Sequence, residues 1–158
     1  MDRVISVDVE GDFGTDRLRG VDEVLPTLLD GFEARGIKAV LFVVGQVARA
    51  RPAAVRAAAA RGHAIGSHTM NHTILGRVDA AKQKAELLDS RRAIEDITGQ
   101  PCRGFRAPFF DAPAHLGELL EESGSEEVSP QGPLFRYGAD LDGFAGRSMD
   151  GERSHRVV

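Results

Sequence analysis

Short strand-like apolar runs alternate with amphipathic stretches along most of this chain. Arg3 to Val9 reads as a strand, its β-branched content supplied by Val4, Ile5 and Val7. Val21, Leu25, Leu28, Leu29 and Phe32 then fall on one face of a helix that Gly36 closes. Lys38 to Val44 is a buried strand. Pro52 opens an alanine-rich helix, where its missing N–H costs nothing, and Gly62 ends it. Ala64-Ile65 is a brief strand. Asp79 is placed to cap a long helix that ends near Thr98-Gly99, with Leu87, Leu88, Ile94 and Ile97 facing inward. Gly104 to Ala107 reads as the next strand, and Leu116, Leu119 and Leu120 mark a further helix stopped at Gly124.

This β-α-β-α order predicts an α/β fold with a parallel sheet and right-handed crossovers. Periodicity alone does not decide whether the sheet curls into a barrel. From about Gln131 the pattern fails. Residues 131–158 carry five glycines and nowhere more than two apolar residues in succession. The expected organisation is one domain over residues 1–130 and an irregular, mobile tail over 131–158, cut by proteases before the helices upstream.

A chain of 158 residues suffices for one domain with its own core. Its net charge of −4 provides no electrostatic footprint for nucleic acid or an anionic membrane. The longest strongly apolar stretch, Ala39 to Val44, is far too short to span a bilayer. Met1-Asp-Arg leads directly into the first strand, so no signal peptide is read and a cytoplasmic location is expected. The single cysteine, Cys102, excludes an internal disulfide and reads as a small residue at a buried strand start.

Three segments carry candidate chemistry. In Ser6-Val7-Asp8-Val9-Glu10-Gly11, residues two apart share a face of the strand, so Asp8 and Glu10 project together while Val9 packs behind. Two carboxylates so placed can divide labour, one holding a metal and the other handling protons. Asp12 and Asp16, in the loop that follows, are weaker candidates. In Gly62-His63-Ala-Ile-Gly-Ser-His68-Thr-Met-Asn-His72, two histidines lie four apart, a spacing that faces both imidazoles one way on a helical turn. Two such histidines and a carboxylate make a three-ligand metal site with open positions. His63 and His115 read as structural or surface residues. In Arg103-Gly-Phe-Arg106-Ala-Pro108-Phe-Phe-Asp111, Arg106 can pin a carboxylate, Pro108 fixes a turn, and Phe109 and Phe110 supply apolar walls.

The order and context of these three segments resemble the polysaccharide deacetylases, the NodB-homology family, across residues 4 to about 111. Such enzymes hydrolyse N- or O-acetyl groups on sugars with a bound divalent metal. The resemblance implies a distorted (β/α) barrel with its site at the C-terminal ends of the strands. It implies Asp8 as the catalytic base, paired with Arg106. It makes Glu10, His68 and His72 the metal ligands, with a glutamate where the family usually carries an aspartate. Zinc is the expected metal. The backbone N–H of Phe109, just after Pro108 and before Phe110, is implied as a donor to the oxyanion.

Two family features are altered. The Gly-Tyr segment with its downstream aspartate maps onto Gly124 to Ser129, with Ser125 in place of the tyrosine and Val128 in place of the aspartate. The Leu-x-His motif that supplies the family's general acid has no clear counterpart, since the tail's one histidine, His155, lies in Glu-Arg-Ser-His-Arg. The barrel is therefore expected to be incomplete at its C-terminus, by truncation or divergence, and the isolated chain to be either marginally stable and aggregation-prone or a homo-oligomer that covers the open sheet edge. Acetylated carbohydrate is the expected substrate. Another C–N bond in a small cytosolic amide is the alternative, and a truncated non-catalytic protein that binds metal or sugar is a third reading.

Overall fold

Strand β2, Ala39–Val43, is buried at all five positions, and the remaining elements are arranged around it. A strand covered on both faces needs a continuous apolar run, which Ala-Val-Leu-Phe-Val provides. In the computed structural model, which describes residues 5–124, β1 (Ile5–Val9) pairs with one side of β2 and β3 (Ala64–Ser67) with the other, both parallel. Arg3, Val4, His155, the Ser125–Ser129 part of the fourth family segment and the predicted tail lie outside the described residues.

The connections are helical. A wide π-type turn at Gly20–Val24 leads into α1 (Leu25–Glu33), which buries Leu25, Leu29 and Phe32. After β2 come α2 (Gly45–Ala50) and α3 (Pro52–Ala60). Helix α4 runs Ala80–Thr98, with the Asp79 carboxylate accepting from the Lys82 N–H at 2.8 Å as its cap. Helix α5 is Leu116–Ser123. One core packs α1 and α3 against the sheet through Leu29, Phe32, Leu41, Val43 and Val55. A second, made by Leu75, Leu87, Phe105, Leu116 and Leu120, lies under α4 and α5. Among the described residues no helix is long and apolar enough to cross a membrane.

Three details differ from the sequence reading. Helix α2 was not anticipated, because six residues are too few to show a helical period. The strand expected over Gly104 to Ala107 reduces to one parallel bridge between Ser67 and Phe105. Ser67 is the last residue of β3, and Pro108 has no N–H with which to extend a ladder. On α4, Leu87 and Ile94 are buried as expected and Leu88 and Ile97 half-buried, but Gln83, Glu86 and Ser90 share the buried face.

Two buried groups keep the structural roles read for them. The Cys102 N–H donates to Glu95 Oε1 at 3.0 Å, and burial pushes its thiol up to about 12, so it stays protonated and unreactive. His63 Nδ1 accepts the Ala39 N–H at 3.1 Å, which requires a neutral ring. Burial pushes its pKa below the ordinary imidazole value, and Lys38 and Arg61 add to that shift. The folded state thus binds this proton less readily than the unfolded chain. Stability is therefore full above about pH 6.5 and falls as the pH drops below that value. We expect the urea midpoint to decrease between pH 7.5 and 5.5, and to decrease less in His63→Gln. Equal pH slopes in the two proteins would exclude His63 as a source of the effect.

Candidate metal centre

The register of the sheet brings the candidate ligands to one level. Val9 is opposite Val43, and Val43 is opposite Ser67, so Glu10, Val44 and His68 are the next residues at the carboxyl ends of three adjacent strands. The ladder continues one step further, with Val44 N–H donating to Val9 O and His68 N–H to Val43 O, each at 3.0 Å. Glu10 and His68 are therefore fixed by backbone bonds up to the point where they leave the sheet.

His68 is buried, and its Nδ1 lies 2.8 Å from the carbonyl oxygen of Arg106. A carbonyl can only accept, so Nδ1 carries the proton and Nε2 keeps its lone pair. That Nε2 points to the Glu10 carboxylate at 3.6 Å, and His72 Nε2 meets the same oxygen at 2.7 Å. Burial holds the His68 pKa below the ordinary imidazole value, against the pull of Asp8, so the ring is neutral at pH 7. One carboxylate oxygen and two imidazole nitrogens all lie within 4.8 Å of one another. Donors on a tetrahedral zinc with bonds of about 2.0–2.1 Å are about 3.3 Å apart, a spacing that the 2.7 and 3.6 Å separations bracket. The donor set of Glu10, His68 and His72 fits a divalent metal.

The two histidines are presented not by the helical turn that their spacing suggested but by a loop, and the part that carries His72 is held in an uncommon conformation. Thr69 and His72 have φ of 63° and 56°, in the left-handed region that disfavours residues with a side chain. Its supports come from elements on either side. The N–H groups of Gly45 and Gln46, at the start of α2, donate to the carbonyls of Thr69 and Met70 at 2.9 Å each. The Thr69 hydroxyl accepts the Thr73 N–H at 3.0 Å, and Glu86 of α4 accepts from Asn71. A Cβ at Gly45 would come within 2.4 Å of the Met70 sulfur and 3.2 Å of the Met70 and Ser90 Cα atoms, so a larger residue here would have to displace the Met70 side chain.

Asp8 stands on the same strand as Glu10 and is bound by Arg106, whose Nη1 donates to Asp8 Oδ1 at 2.6 Å. Arg106 Nη2 donates to the Ser6 hydroxyl at 2.7 Å, and the guanidinium lies over the Phe42 ring, 4.2 Å from its centroid. The cation is buried while the Asp8 side chain remains 32% exposed, so Asp8 is oriented from behind and open in front. Gly66 makes room for the ring beneath, since a Cβ there would strike Phe42 at 2.7 Å.

Pro108–Phe110 forms a single 3-10 turn beside this pair, and both Phe109 (φ 55°) and Phe110 (φ 56°) are left-handed. Phe109 is 63% exposed with its ring centroid 5.2 Å from that of His72, and Phe110 lies 5.8 Å from the Arg106 guanidinium. Among the described residues, the four non-glycine positive-φ positions are Thr69, His72, Phe109 and Phe110. All four border the three-ligand cluster or its carboxylate–arginine neighbour, which is where strain of this kind concentrates.

The structure thus brings together Asp8, Glu10, His68, His72, Arg106, Pro108, Phe109 and Phe110. Asp12 serves another purpose, since its carboxylate accepts the Arg19 and Gly20 N–H groups at 3.1 and 2.9 Å and staples the loop after β1. His115 is engaged by Gln83 Oε1 at 3.0 Å. Sequence reasoning missed Glu86, whose setting among Lys82, Lys84 and Asp89 reads as a solvated helix face.

Comparison with known proteins points the same way. A sequence model described as polysaccharide deacetylase matches residues 13–128. A peptidoglycan-N-acetylglucosamine deacetylase of Bacillus cereus is 25% identical over 128 residues, covering 81% of this chain and 44% of that protein. A chitooligosaccharide deacetylase of Bradyrhizobium is 34% identical over 85 residues, covering 53% and 39%. A solved polysaccharide-deacetylase-like structure from Mycobacterium smegmatis superposes with a TM-score of 0.72 at 26% identity, over 77% of this chain and 48% of that one. The chain spans less than half the length of each of these three. The family match begins after Asp8 and Glu10, so those two enter the site on the geometry of β1.

Proposed function

From the premise that the chain belongs to the polysaccharide deacetylase family, we propose that it removes acetyl groups from N-acetylated carbohydrate by metal-dependent hydrolysis. The observation that carries this reading is the convergence, at one end of a parallel sheet, of a Glu-His-His donor set and a carboxylate clasped by a buried arginine. The substrates named for the B. cereus and Bradyrhizobium relatives support N-acetylglucosamine units as the substrate class.

A divalent ion held by Glu10, His68 and His72, zinc by its donor chemistry, would polarise the acetyl carbonyl and supply a water of lowered pKa. The chain's own residues supply the base and the oxyanion donor, and the leaving amine takes its proton from solvent as the C–N bond breaks. The Arg106 clasp fixes one Asp8 oxygen and leaves the carboxylate open in front, where it takes the proton of the attacking water. The His68 proton stays on Nδ1, held by the Arg106 carbonyl, so this ring does not compete for it. The Phe109 N–H donates to the oxyanion as the carbonyl carbon becomes tetrahedral. The rings of Phe109 and Phe110 form the apolar wall against which the acetyl group rests.

The test is acetate release from N-acetylglucosamine oligomers by the purified chain, with and without a chelator. Release that a chelator abolishes and zinc restores is expected. Cleavage of small cyclic amides with no acetate release would overturn the substrate class, and hydrolysis unaffected by chelation would overturn the metal.

A further inference from the structure

Helix α4 turns a charged residue into the protein. The Glu86 side chain is 0% exposed, beside core residues Leu87 and Ile94. A carboxylate withdrawn this far from water persists only where donors surround it. Its donors are the Asn71 backbone N–H at 2.8 Å from Oε2, the Asn71 Nδ2 at 2.7 Å from Oε1, and the Lys82 ammonium at 2.9 Å from Oε1. Burial alone would push this carboxyl up, but hydrogen bonds from Asn71, Lys82 and Thr73 outweigh it and bring it below the ordinary glutamate range. Both oxygens thus close on the residue that immediately precedes His72. The Asn71 side-chain oxygen is held in turn, accepting from Gln46 Nε2 of α2 at 3.2 Å.

A left-handed residue that carries a side chain keeps its conformation only where its surroundings over-determine it. We propose that Glu86 is a positioning residue: through its two-pronged grip on Asn71 it holds His72 in the left-handed conformation that sets His72 Nε2 against Glu10. This rests on the reading of Glu10, His68 and His72 as a metal site. The grip works through backbone, because the hydrogen-bond partners named for Glu86 are Asn71, Thr73 and Lys82 rather than the ligands. A carboxylate suits this place better than an amide would. Asn71 and Lys82 present only donors to it, and an amide can offer one acceptor oxygen where two are used.

The test uses the full chain with zinc alone as the probe. Glu86→Gln keeps the size of the side chain and turns an NH₂ group toward donors. Asn71→Ala, at an exposed position, removes one prong without touching the core. Both variants are expected to bind zinc roughly ten- to a hundredfold more weakly, the scale for groups that orient metal ligands from behind. In metal-free protein, the Asn71 amide hydrogen is expected to exchange faster in Glu86→Gln than in the parent. Parent-like zinc affinity in both variants overturns the proposal, and so does an unchanged Asn71 exchange rate. If the parent chain itself binds no zinc, the metal reading fails, and the exchange rates alone then decide whether the grip exists.

Discussion

Zinc bound to the purified chain is expected to fall to background when His68 and His72 are both replaced by alanine, and each single replacement is expected to lower affinity by orders of magnitude. The reason lies in ligand number, since a divalent ion needs at least three protein donors to be retained at an open site. His68→Ala carries an additional cost. Its imidazole is buried and bridges the end of β3 to the Arg106 carbonyl, so removing it opens a cavity and takes away that 2.8 Å hydrogen bond. His72 is only 28% exposed at its side chain but has no such bridge, so His72→Ala tests the site with less disturbance to the fold. Glu10→Gln, which keeps an oxygen and loses the charge, is expected to weaken binding less than either histidine change. Elemental analysis of dialysed protein checks this directly. Full occupancy in the double variant would remove these residues from the metal site.

Asp8→Asn separates the proton acceptor from the metal. The asparagine oxygen can still accept from Arg106, and Glu10, His68 and His72 are untouched, so zinc content should equal that of the parent. Hydrolysis should fall about a hundredfold or more, the usual scale for loss of a general base. Stability should fall as well, because the buried Arg106 cation loses the charge of Asp8. Breaking a fully buried pair costs about 3–5 kcal/mol, and the exposure of Asp8 places this pair below that range. Turnover measured at saturating zinc, beside a urea denaturation curve, distinguishes the two effects. Parent-like turnover would exclude Asp8 as the base.

Much of this site is legible in the sequence because its chemistry sits on regular elements. Asp8 and Glu10 alternate on a strand, and strand alternation is a strict period that needs no tertiary information. His68 follows a short strand, and the long helix after it is bounded by a capping aspartate and a glycine, both strong local signals. The supports are less visible. Helix α2 is one and a half turns long, too short for a pattern, yet its first two N–H groups hold the histidine loop. Glu86 lies in a stretch rich in lysine and acid, where burial of a carboxylate depends on a loop folding back upon it. The left-handed conformations of Thr69, Phe109 and Phe110 fall on residue types that give no warning of it, whereas histidine, like asparagine and aspartate, is enriched in that region, so His72 carries a weak signal. Strain of that kind is imposed from outside the segment that bears it.

The clasp between Arg106 and the first strand has a consequence for the order in which the molecule is assembled. Its bonds close sequence separations of 98 residues to Asp8 and 100 to Ser6, whereas the pairing of β1, β2 and β3 joins segments much closer along the chain. The closure entropy of so long a loop grows slowly with length but must be met before the contact returns anything. During synthesis the strand bearing Asp8 and Glu10 emerges before the arginine that aims Asp8, 98 residues ahead of it. The sheet can therefore form before Asp8 and Arg106 meet, and the clasp is added to a framework already standing. Contacts made after the rate-limiting barrier govern escape from the native state. Loosening Arg106 would thus hasten unfolding while leaving the rate of folding nearly unchanged.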